Sequence, residues 1–267
     1  MKYMLVLLAA MGMAGAASAA PASATDLARV RGAVVSAQFF LTQARFDGWG
    51  HGQFWVRTYE VLAQDARAAK KGLAPHAALE LPADTGRVVG KAVRDLEFIS
   101  TQFDGLSGND GQWEDWATAT GNAMKQVGKD LDAALTALPA MDAIAADPAM
   151  AKAFARGVAA YASTISAGPD WGGNGANEYW QRTCLLFAAT AARASVMLSR
   201  MLAFAGGHLP AQVKTDLGTQ AAALKAAALK YLNEDGSTQE WLDWSALTGK
   251  EMLRISREID AILQQTW

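Results

Sequence analysis

Two glycine-rich stretches hold the residues best suited to recognition chemistry. One reads Phe46-Asp47-Gly48-Trp49-Gly50-His51-Gly52, the other Pro169-Asp170-Trp171-Gly172-Gly173-Asn174-Gly175. Glycine-rich backbone leading into a helix can turn its N–H groups toward an anion. Neither stretch carries the Lys-Ser/Thr of a phosphate loop, which argues against a nucleotide. Trp49 and Trp171 stand among glycines, outside any apolar stripe. An exposed indole there offers a flat apolar face to a sugar, a cation or a partner protein. The competing reading folds each indole back onto neighbouring helices. Trp49, His51, Trp171 and Asn174 are therefore the candidate binding residues of these loops.

Each loop is followed by a related segment: Phe54-Trp55-Val56-Arg57-Thr58 and Tyr179-Trp180-Gln181-Arg182-Thr183. Arg57 and Arg182 fall near the start of helices, where the dipole disfavours a cation. Glu178, four residues before Arg182, offsets part of that. Two roles follow for the arginines. They could pair with Asp115 and Asp243 respectively, or they could clamp a carboxylate ligand. Those aspartates belong to a box that occurs twice, Trp113-Glu114-Asp115-Trp116 and Trp241-Leu242-Asp243-Trp244. Tryptophans at i, i+3 share a helix face and read as core. The aspartates point away from that face and suit the first turns of a helix, where the dipole favours a carboxylate.

Catalytic and metal patterns are missing. No G-x-S-x-G, H-E-x-x-H or Cys-x-x-Cys-His run occurs, and His51, His76 and His208 do not recur at matching places. The single cysteine, Cys184, excludes an intrachain disulfide and a cysteine-built metal centre. It lies on an apolar stripe and reads as a buried thiol. No cofactor or metal is expected. The 24 Lys and Arg against 26 Asp and Glu, a formal charge of −2, disfavour nucleic acid as a partner. At 51% apolar and 19% charged residues, the chain can bury a substantial core.

The N-terminus has the layout of a secretory signal. Lys2 precedes an apolar run from Tyr3 to Gly15, and Ala17-Ser18-Ala19 forms an A-x-A site. At about 13 residues the apolar run is too short for a hydrocarbon core of roughly 30 Å. Residues 1–19 are read as a cleaved signal peptide, leaving no membrane span. The expected address is periplasmic or secreted.

The elements that would position these residues come twice. With a shift of 128, Leu81–Leu135 lies over Leu209–Leu263 without a gap, and 15 of the 55 positions are identical. Upstream, the arginine segments match at a shift of 125. This predicts two tandem units, 20–140 and 141–267. Prolines are sparse and apolar residues recur at helical spacing, so the expected fold is all-α. Each unit is read as a four-helix bundle-like body, giving eight helices near 26–45, 53–71, 84–104, 111–136, 148–166, 177–205, 211–232 and 238–265. Asn109-x-x-Gln112 and Ser237-x-x-Glu240 are capping boxes for the last helix of each unit. Gly121 and Gly249 lie inside those helices, which calls for a close helix–helix crossing there. Two bundles in series and one fused eight-helix body both satisfy the pattern.

These readings converge on an exported, non-catalytic binding or adaptor protein. It would hold a small ligand or an envelope or secreted protein through its loops or an inter-unit groove. A cell-envelope polysaccharide hydrolase or lyase and a structural envelope component are the alternatives.

Overall fold

The computed structural model describes residues 21–173 and 175–267; the segment 1–19 read as a signal peptide, Ala20 and Asn174 lie outside the described residues. Among the described residues the fold is all-helical, without strands. The long helices are α1 (Ala24–Thr42), α2 (Gly52–Ala77), α3 (Ala83–Ile99), α4 (Asp110–Asp130), α6 (Pro148–Ser166), α7 (Asn177–Ala205), α8 (Ala211–Leu229) and α9 (Thr238–Gln264). The count of eight needs correction. A six-residue helix, α5 (Met141–Ala146), forms in the connecting segment, and a 3-10 helix (Leu131–Ala137) ends α4. Ile144 is fully buried and anchors α5.

Local chemistry explains most boundaries. Ser23–Asp26, Asn109–Gln112 and Ser237–Glu240 all close reciprocal capping boxes. Asp147 caps α6 ahead of Pro148, whose missing N–H costs nothing at that position. Pro82 and Pro210 stand immediately before α3 and α8. The stripe Trp180, Cys184, Phe187, Ala191, Ala194, Leu198 and Met201 of α7 is buried throughout. By length and composition α7 could cross a membrane, but this stripe is part of the protein core.

One apolar core runs through both sets of long helices, α1–α4 and α6–α9. Its centre is the crossing of α1 with α6. A Cβ on Gly32 would collide with the carbonyl oxygen of Phe154, and one on Gly157 with that of Arg29. Only glycine lets the two backbones approach so closely. Arg31 Nη1 donates to the Leu135 carbonyl at 2.9 Å, and Arg156 Nη1 to the Leu263 carbonyl at 2.9 Å. Each guanidinium ties α1 or α6 to the C-terminal end of its own set, where a cation suits the exposed carbonyls. Arg193, buried on α7, pairs with Asp65 of α2 at 2.8 Å and donates to the Phe40 carbonyl of α1.

Consecutive long helices are antiparallel, and four connections gather at one pole. Tyr59 on α2 donates to Asp104 between α3 and α4. Tyr231, after α8, stacks on Trp244 of α9. The connection preceding α2 meets α7, and the connection preceding α7 meets α2.

Candidate functional site

Those two connections are the glycine loops. Gly48 and Gly173 have φ of 145° and 137°, a region that L side chains rarely adopt. Neither α2 nor α7 has a side-chain cap of its own. Each is completed by the other. The His51 N–H donates to Glu178 Oε2 at 3.1 Å, and the Ala176 N–H donates to Gln53 Oε1. The loops are thus held in place by the opposite helix.

One turn deeper the arginines repeat this exchange. Arg57 Nε donates to Thr183 Oγ1 at 2.7 Å, and Arg182 Nε donates to Thr58 Oγ1 at 2.9 Å. Each threonine hydroxyl donates back to its own helix, at Tyr179 or Phe54, so its lone pairs are free to accept from the guanidinium. Arg57 lies 4.8 Å over the Tyr179 ring and Arg182 4.3 Å over the Phe54 ring.

The two centres differ in charge. Arg57 also meets Glu60 at 2.9 Å and donates to the Asp170 carbonyl at 2.6 Å. Tyr179 donates to Glu60 at 2.6 Å, and burial pushes its phenol pKa upward. Arg182 has no carboxylate within ion-pair distance among the described residues, and its Nη2 is buried without a partner. Burial pulls its pKa down to about 10, against the opposing influence of Asp47. Leu185 stands 125 residues after Glu60, so the shift that matches the arginines puts no carboxylate there.

The expected ties from Arg57 to Asp115 and from Arg182 to Asp243 do not form. The arginines face the crossing of α2 with α7, while Asp115 and Asp243 are exposed on α4 and α9. Asp243 accepts from Gln239 on its own helix. The Arg-Thr pair was legible in both segments, but the sequence did not reveal that each arginine reaches the threonine of the other segment. Glu60 and Tyr179 were missed for the same reason.

The loop tryptophans also part company. Trp49 is 99% exposed, whereas Trp171 is half-buried on Gly249. Phe46 packs in the same way on Gly121. Gly121 and Gly249 therefore admit an aromatic ring from a loop; they do not mark a helix–helix crossing. Carrying the 125 shift back through Gly48/Gly173 and Gly50/Gly175 aligns Trp171 with Phe46 and Trp49 with Asn174, the signal that separates them. His51 is exposed. The Trp boxes support this pole from beneath: Trp113–Trp116 and Trp241–Trp244 meet edge to face at 4.8 and 4.9 Å. Phe103 and Tyr231 stack on Trp116 and Trp244.

The pole's outer surface combines two properties. Trp49, Phe98, Leu106, Leu229 and Leu232 are exposed there. The segments 43–52, 100–116, 167–178 and 229–244 hold 11 Asp and Glu against Arg45 and Lys230 alone, a formal −9 in a chain whose total is −2. An acidic surface with protruding apolar side chains attracts a cationic partner and gives it something to bury. The chain matches no protein-family model, no curated protein and no solved structure.

Proposed function

We propose that this protein is an exported, non-catalytic binding or adaptor protein that docks a basic partner protein on its four-loop pole. Trp49 is the anchor in this reading. The observation that carries it is a fully exposed indole on a glycine loop whose His51, two residues on, is clamped through its N–H by Glu178 across the α2–α7 crossing. A large aromatic side chain on a restrained loop loses little entropy on binding, as an interface hot spot requires. The surrounding carboxylates would steer a cationic surface toward it. Export rests on the Lys2, apolar-run and Ala17-Ser18-Ala19 pattern. We further propose that the chain arose by tandem duplication of a four-helix unit, 20–140 and 141–267. The reciprocal Arg–Thr bonds support this, because a two-fold interface brings each patch against its own counterpart.

The test compares three baits against the envelope fraction of the producing cell: wild type, Trp49→Ala, and a variant with Asp104, Glu234 and Asp235 changed to Lys. A protein retained by wild type, lost by both variants and released by salt supports the reading, provided the variants melt like wild type. A retained set identical for all three baits overturns it. N-terminal sequencing of the exported protein should begin near Ala20.

A further inference from the structure

Away from the loop pole, a cavity of about 230 Å³ lies between α1, α5, α6 and α7. Phe39, Phe154, Phe204, Met141, Met197 and Met201 form its walls. Ser36 lies among them, but its hydroxyl donates to the Gly32 carbonyl at 2.8 Å and is already satisfied. Water in such a space finds too few polar partners, so the cavity favours an apolar occupant.

The other side of the α1–α6 crossing explains why the space exists. Tyr161 stands 125 residues after Ser36, and Gly72 stands 125 before Met197. A Cβ on Gly72 would lie 2.6 Å from the Tyr161 ring, so the phenol fills that side. With serine in the place of tyrosine, the corresponding volume stays open.

Among the described residues, Arg200 is the charged side chain that lines the cavity. Arg200 lies 5.0 Å over the Phe39 ring, is exposed, and has no ion-pair partner among the described residues. Arg31 reaches the edge, with Nε 3.4 Å from Met141 Sδ. Among the described residues no carboxylate lines the cavity. We infer that this cavity binds the alkyl chain of a medium-length carboxylic acid, with the carboxylate at Arg200. A cavity of about 150 Å³ takes benzene, so this one suits a chain of roughly eight to ten carbons. Methionine walls adapt to such a chain without a fixed shape.

Calorimetric titration of the full protein with hexanoate, octanoate, decanoate and decanol tests the assignment. Decanoate should bind saturably, and each added methylene should tighten binding about fourfold. Ser36→Tyr, which copies the filled side, should abolish binding while the melting curve stays intact. Val158→Phe, filling from α6, provides the second blocked variant should Ser36→Tyr fail to fold. Arg200→Gln should weaken decanoate about tenfold and leave decanol unchanged. Trp49→Ala should bind decanoate normally, so this inference and the docking reading fail separately. Absence of saturable decanoate binding, or binding that survives both filled variants, overturns the proposal. A concentration-dependent dimer that Ser36→Tyr or Val158→Phe dissociates assigns the face to a second copy and overturns it equally.

Discussion

Arg57 and Arg182 occupy matching places on α2 and α7, and they endure burial on unequal terms. Both donate to a threonine of the other helix and lie over an aromatic ring. Among the described residues, only Arg57 has a carboxylate and a backbone carbonyl as well. The difference teaches that one local arrangement of Arg, Thr and aromatic ring can stand in two different electrostatic surroundings. A shared interface depends on shape and on a few reciprocal bonds. The flanking positions are free to specialise, as Glu60 against Leu185, Tyr161 against Ser36 and Trp49 against Asn174 illustrate.

That comparison is most severely tested where the two halves are equal. Gly32→Val and Gly157→Val should each destabilise the fold by more than about 4 kcal/mol, by matching amounts, because each forces α1 and α6 apart. Urea titration measures both. A large loss at one glycine and a small one at the other would break the equivalence of the crossing.

Acid should separate the halves next. Burial, aided by Arg29, holds the His76 imidazole down to about 4. Its unfolded form takes up a proton near 6.5, so unfolding is favoured as pH falls below that value. The contribution is intact above pH 6.5 and is lost, by about 3 kcal/mol, as pH falls to 4. The residue 125 positions on is Met201, which does not titrate. His76→Met should therefore show a shallower loss of stability than wild type between pH 6.5 and 4; parallel losses would refute the assignment.

The arginines sharpen the comparison further. Arg57→Met strands Glu60, Tyr179 and Thr183 and should cost about 3 kcal/mol. Arg182→Met removes a buried cation without a carboxylate partner and should cost less than about 1 kcal/mol. Equal costs would mean that Glu60 adds nothing.

The smallest effect belongs to the loops. Trp171→Ala uncovers Gly249 and should cost about 2 kcal/mol. Trp49→Ala should leave stability within about 0.5 kcal/mol of wild type, because the indole is 99% exposed. Thermal melts of the two variants decide whether Trp49 is free to serve a partner.

Much of the secondary structure was determined by local chemistry and was legible in the chain itself. The boxes at Asn109 and Ser237, the prolines at 82, 148 and 210, and the stripe of α7 set helix boundaries within a few residues. The α2 reading fell short at 71, since Pro75 lies in a last turn that runs on to Ala77. A proline there removes one bond without ending the helix. The candidate site was legible only as residue types. Arg57, Arg182, Trp49 and Trp171 were singled out, but their partners lie on other helices. Spacing along one helix reports which side chains share a face; it does not report which helix that face meets. That choice fell to the tertiary structure, through the close approach that Gly32 and Gly157 permit. Packing α1 on α6 brings α2 beside α7, turns each arginine toward the opposite threonine, and gathers the acidic loops at one pole.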